Sequence, residues 1–210
     1  VNMQEGLGIG EGVVADLLER LREPHRHEHG VEFKGTGIGY ATAKRCAEEG
    51  ARVLISDIHE RRLAEAAERL EAETGQKPAI AMCNVTQEED VAALLNAATS
   101  ELGDIDILVN NAGMGGNAAV VEMTDEQWNL VMDVTLNGTF RMTRAAMRHM
   151  MPRGQGVIVN NASVLGWRAQ KLQAHYAAAK AGVMALTRCA ALEAAEANVR
   201  INCVAPSIAM

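Results

Sequence analysis

Five short apolar runs constrain the fold of this chain more than any other feature: ARVLISD (51–57), KPAIAMCNV (77–85), DILVNNAG (106–113), GVIVNNAS (156–163) and VRINCVAPS (199–207). They are nearly continuous in Val, Ile, Leu and Ala rather than alternating with polar residues. A strand that is apolar on both faces needs cover on both faces, and parallel sheets obtain it from crossover helices. The segments between the runs supply those helices. Residues 38–49 close at Gly50, 60–73 end at Gly75, and 88–103 form a third. A long stretch, 125–150, is broken by Pro152 and Gly154, and a last helix covers about 174–196. Such alternation predicts an α/β, doubly wound parallel sheet in a single domain. A chain of 210 residues is long enough to bury one good-sized core.

Residues 1–34 break the pattern and are expected to form an N-terminal extension ahead of a 35–210 domain. Within them Val14, Leu17, Leu18 and Leu21 fall at helical spacing, which gives a short amphipathic helix stopped by Pro24. His25, His27 and His29 read as a solvated polar link rather than a metal site. The formal net charge of −7 argues against nucleic acid or an anionic membrane as partner. No apolar run reaches spanning length, and the first residues carry no secretion-signal pattern, so a cytoplasmic location is expected. Cys46, Cys83, Cys189 and Cys203 are scattered, with no CxxC pair, and are expected as reduced, buried thiols; no metal site is expected.

The candidate chemistry gathers at the ends of the runs. GTGIG places Gly35, Gly37, Ile38 and Gly39 at a helix start, where a backbone without Cβ atoms and with free N–H groups suits a pyrophosphate. A decoy, GLGIGEG at 6–12, also precedes a helix, so the context downstream decides. Asp57 ends the next run, eighteen residues after Gly39. Its carboxylate suits ribose hydroxyls and would repel a 2′-phosphate. The same residue could instead cap the next helix, and Arg61 and Arg62 could tolerate a phosphate. NAD is therefore preferred, with NADP not excluded. Asn110, Ala112 and Gly113 leave a third run with little bulk, and Ser163 ends a fourth. HYAAAKAG sets Tyr176 and Lys180 four apart, on one helix face. A lysine ammonium there, together with a cationic nicotinamide ring, would favour the phenolate, so that Tyr176 could exchange a proton with a carbonyl/alcohol pair while Ser163 holds its oxygen. His175 lies beside Tyr176 but on a different helix face. Trp167 could wall a substrate pocket, pack in the core or meet a second subunit.

Through GTGIG, SD at 56–57, NNAG at 110–113, Ser163, YAAAK at 176–180 and NCVAPS at 202–207, the chain from 35 to 207 resembles an ordinary short-chain dehydrogenase/reductase. The resemblance implies a Rossmann-like fold, NAD(P)-dependent interconversion of a small-molecule alcohol and ketone, and a homotetramer. It implies Ser163, Tyr176 and Lys180 as catalytic residues. Gly35, Gly37, Ile38, Gly39, Asp57, Asn84, Val85, Asn110, Ala112, Gly113, Tyr176, Lys180 and Pro206 would contact the cofactor. VNNASVLGWRAQ with the helix after it is similar to actinobacterial members linked to steroid-ring or acyl-CoA-like intermediates.

Several positions depart from the family pattern. The first glycine of the loop is absent, Asn84 replaces an Asp that meets adenine, and Ser207 replaces a Gly after Pro206. Thr135 stands where the family places a fourth catalytic residue, an Asn that feeds a proton relay, which suggests an altered relay. The first and last strands of the family fold have no counterpart in this sequence, and the expectation is of further residues between Lys34 and Gly35 and after Met210. Two rival functions remain: another reaction on the same fold, such as a dehydratase, epimerase or enoyl reductase, and a binding or scaffolding homologue without catalysis. A YxxxK spacing of three intervening residues speaks against the enoyl reductase.

Overall fold

The computed structural model describes residues 37–207. Gly35, the amphipathic segment of 1–34 and the three early histidines lie outside them. The elements are α1 (Ile38–Glu48), β1 (Leu54–Asp57), α2 (Glu60–Thr74), β2 (Ala79–Met82), α3 (Glu88–Leu102), β3 (Ile107–Asn110), α4 (Asp125–Met132), α5 (Gly138–Met150), β4 (Gly156–Asn161), α6 (Ala174–Ala194) and β5 (Val199–Val204).

Local chemistry accounts for the helices. In α2 the buried Leu63 and Leu70 sit two turns apart, and Gly75 ends the helix with a left-handed φ of 73°. Three acidic residues, Glu88, Glu89 and Asp90, open α3, where the helix dipole favours negative charge. A capping box between Thr124 and Gln127 opens α4. The long helix expected over 125–150 contains a π-helical turn, Asp133–Asn137, between α4 and α5. Such a widened turn inserts an extra residue and re-aims the side chains of the next helical turns, a feature often found at functional sites.

All strand pairings are parallel: β1 with β2, and β3 with β4 and β5 in that order. The two parts share one interior, because Leu54 of β1 and Leu108 of β3 both pack on the cluster of Val91, Leu94 and Met142. Met150, Ile158, Ala190, Ala194 and Ile201 form the neighbouring cluster. Met142 and Met150 of α5 are buried in the core. The thiol expectation needs correction. Only Cys83 is buried; Cys46 and Cys203 are half-buried, and Cys189 is exposed because its position on α6 turns outward. Among the described residues no helix is long and apolar enough to cross a membrane.

The ladders are shorter than the apolar runs. Residues 84–85, 111–113, 162–163 and 205–207 leave the sheet at the carboxyl ends of their strands. A parallel sheet gathers those ends along one edge, where open α/β folds bind ligands. A buried amide ladder fixes that edge. Asn110 Nδ2 donates to Asn160 Oδ1 at 2.9 Å and to Thr143 Oγ1 at 3.1 Å, and Asn160 Nδ2 donates to Thr187 Oγ1 at 3.0 Å. Removing Asn160 would leave Asn110 and Thr187 short of partners inside the core. Asn160→Ala should destabilise the fold by about 2–4 kcal/mol in urea denaturation.

Candidate active site

Ser163, Tyr176 and Lys180 come together. Ser163 lies just beyond β4, is 9% exposed, and its Oγ accepts from Leu165 N–H at 3.2 Å. Tyr176 and Lys180 stand on the first turns of α6, with Lys180 Nζ 5.6 Å from the centre of the phenol ring. Lys180 is only 3% exposed, and its ammonium donates to the backbone carbonyl of Asn161. Burial draws its pKa down to about 8.

Burial raises the Tyr176 pKa above the ordinary value, and the Ser163 hydroxyl, placed to hydrogen-bond it, draws it partly back. Lys180, held on the Asn161 carbonyl, stands one helical turn away on the same face.

A backbone strip lies across this face of α6. A Cβ on Gly113 would stand 3.4 Å from Lys180 Nζ, one on Gly115 3.5 Å from the Tyr176 ring, and one on Gly116 3.2 Å from His175 Nε2. Three tethers hold the strip. Thr135 Oγ1 accepts from Met114 N–H at 3.1 Å and donates to Met114 C=O at 3.0 Å. Gln173 Nε2 donates to Asn117 Oδ1 at 2.6 Å, and Ala118 N–H donates to Leu172 C=O at 3.1 Å. Thr135 is fully buried in the π turn. Its one hydroxyl makes a two-way clasp on the strip, which an Asn at the same place is not needed to provide. Asn137 is no substitute, since it bonds Asp133 on the exposed side.

The residues at the sheet edge fit a dinucleotide. α1 begins at the N-cap Gly37 with no side-chain cap, and nothing lies within 4 Å of where a Cβ on Gly37 would be. Its first N–H groups are therefore open to an anion. A Cβ on Gly39 would meet Asn111 Nδ2 at 2.6 Å, so the Asn111 amide would have to move. Asp57 accepts from His59 N–H at 2.8 Å and Arg62 Nη2 at 3.1 Å, both on Oδ1. It serves the local turn, while His59 is the N-cap of α2. Neither bond uses Oδ2.

Other predicted contacts are otherwise engaged. Asn84 Oδ1 accepts from both N–H and Oγ1 of Thr86. Only its amide nitrogen is left, a donor, whereas an adenine amine needs an acceptor. Val85 packs on Gly138, where an added Cβ would meet it at 2.6 Å, and its carbonyl accepts from Arg141. Asn110 turns into the buried ladder and away from the edge. Pro206 C=O accepts from Val164 N–H at 3.1 Å and so braces the turn that carries Ser163. Ala112 and Gly113 are exposed at the edge. Trp167 is 64% exposed, which excludes the core role.

Asn111 and Asn161 were missed from sequence. Asn161 Nδ2 donates to Asn111 Oδ1 at 2.9 Å, Asn111 touches the Gly39 loop, and Asn161 holds Lys180. The signal was present: two adjacent strands each end in an Asn doublet, and side chains alternate along a strand.

Comparison with known proteins decides the family. The short chain dehydrogenase family model matches residues 34–209. The chain belongs to this short-chain dehydrogenase family. A short-chain dehydrogenase structure from Mycobacterium smegmatis superposes with a TM-score of 0.80 at 51% identity, covering 90% of this chain and 84% of that one. A relative in Mycobacterium tuberculosis, a (5R,7aS)-5-hydroxy-7a-methyl-1-oxo-2,3,5,6,7,7a-hexahydro-1H-indene-carboxyl-CoA reductase, is 59% identical over 177 residues, 83% of this chain and 67% of its own length. A cis-4-hydroxycyclohexanecarboxylate dehydrogenase of Sinomonas cyclohexanicum is 41% identical over 180 residues, 85% of this chain and 72% of its own. The expected resemblance, Rossmann-like fold and oxidoreductase class, acting on CH–OH or C=O groups, therefore stand.

Hydrogen exchange and pH-dependent denaturation probe this geometry. Thr135→Val should break both bonds to Met114 and speed exchange of the Met114 amide by about tenfold, while Thr135→Ser should keep it slow. The denaturation experiment concerns Lys180, whose pKa is about 8 folded and 10.5 in the ordinary chain. Between those values the unfolded state still binds a proton that the folded state has released, so stability contributed at this position rises with pH. Wild type should gain on Lys180→Met in denaturation midpoints as pH climbs through that window.

Proposed function

We propose that this short-chain dehydrogenase interconverts a secondary alcohol and a ketone on a carbocyclic ring, using a nicotinamide nucleotide. The observation that carries the reading is the convergence of Ser163, Tyr176 and Lys180 beneath the 113–116 strip at the carboxyl edge of the sheet. Ring substrates are supported by the names of two relatives, each of which places a hydroxyl on a carbocycle.

A nicotinamide nucleotide held by Gly37, Gly39, Asp57 and Gly113 would supply or accept the hydride. The protein's own groups move the proton. Ser163 Oγ holds the substrate oxygen beside Tyr176. For ketone reduction the phenol, kept protonated by burial, donates its proton to the oxygen that becomes the alcohol. Lys180, tied to the Asn161 carbonyl, sets the position of a ribose and the charge near the phenol. The free edge of the Asp57 carboxylate favours NAD, whereas Arg62 stands close enough to accept a phosphate.

The reading includes a homo-oligomer, supported by exposed Trp128 and Leu130 on α4, Phe140 on α5 and Leu192 on α6. Tyr176→Phe should lower ketone reduction by at least about a thousandfold with NADH binding retained by fluorescence titration, and the same sample should sediment as a tetramer. Turnover within tenfold of wild type would end the mechanism.

A further inference from the structure

Beside the catalytic face lies a second, half-open cleft of about 190 Å³. Met114, Gly116 and Ala118 of the strip form one wall, and Leu130 and Val131 of α4 another, with His175 of α6 between them. The lining is mostly apolar. An apolar cavity of about 150 Å³ is enough for a benzene ring, so this cleft suits one ring of a substrate rather than a whole cofactor.

His175 is a polar member of this lining, together with Asn117 and Gln127. The histidine is 2% exposed, and its Nδ1 is buried with no hydrogen-bond partner. Its Nε2 faces the Gly116 backbone, where a Cβ would stand 3.2 Å away. A neutral imidazole offers one donor and one acceptor whichever nitrogen carries the proton. Buried polar groups are seldom left unpaired without reason. His175 thus lines the cleft with one nitrogen unpartnered and the other against the Gly116 backbone, and Gly115 of the same strip lies against the Tyr176 ring.

We infer that this cleft is a specificity subsite of the dehydrogenase, in which His175 hydrogen-bonds a second oxygen carried by the ring substrate away from the reacting carbon. The inference rests on the ring-ketone reading above. That reading requires only one oxygen, at Ser163 and Tyr176. The subsite adds a requirement for another, a carbonyl, hydroxyl or carboxylate, at the far side of the ring.

The test compares a methylhydrindane dione with the matching hydrindanone that lacks the remote carbonyl, using the full chain and reduced nicotinamide nucleotide. The readout is the ratio of kcat/KM for the two ketones, since a contact to the remote oxygen enters one substrate only. His175→Phe keeps the ring and removes both nitrogens, and should lower that ratio about tenfold. His175→Asn should restore part of it. Gly116→Ala, which sets a methyl against Nε2, should lower the ratio as His175→Phe does. An unchanged ratio in His175→Phe overturns the subsite even where overall activity falls, because a packing role affects both ketones alike. If wild type reduces neither ketone, the ring-ketone reading fails separately. The nitrogen-15 resonances of the His175 imidazole then decide the cleft alone: a shift with the dione and none with the hydrindanone supports it, and no shift with either overturns it.

Discussion

The site depends on a close approach between backbone and helix. Residues 113–116 run along the first turns of α6 near enough that Lys180, Tyr176 and His175 each face a glycine. A side chain at Gly116 would press on the imidazole, and one at Gly39 would collide with Asn111. The packing therefore restricts residue choice at the glycines and at the groups opposite them. It also keeps the strip in place without a ligand, since the Thr135 clasp and the tethers to Leu172 and Gln173 are internal to the protein.

The Asn doublets show how one sheet serves both stability and chemistry. Asn110 and Asn160 are register partners on β3 and β4. Their side chains meet on the face covered by α5 and α6, where Thr143 and Thr187 complete the bonds. Asn111 and Asn161, one residue further, point to the opposite face by the period of two. They link the Gly39 loop to the carbonyl that holds Lys180. Buried amides of this kind are costly unless fully paired, and the inner pair is paired. The carboxyl edge is thus held from within the core, so the helix start, the strip and the catalytic turn keep a fixed spacing.

Much of this was legible in sequence because it depends on period and punctuation. Doubly apolar runs gave the parallel sheet, Gly50 and Gly75 gave helix ends, and YAAAK placed two side chains on one face. What was not legible depends on which partner a polar group finds in three dimensions. Asn110 reads as a cradle residue until its inward orientation is known. Asn84 keeps its amide but loses its acceptor to Thr86. Thr135 reads as a lost Asn against the family pattern, and the π turn in which its hydroxyl clasps Met114 is invisible to a pattern of 3.6.

The same distinction governs the acid/base pair. Spacing placed the ammonium and the phenol together, and from spacing alone the lysine should ease the tyrosine's ionisation. Burial acts on both groups, and it opposes charge on each: it raises the phenol and lowers the amine. Spacing along a helix therefore says which two groups meet, but not which way their ionisation shifts, because that depends on how far each is withdrawn from water once α6 packs on the strip.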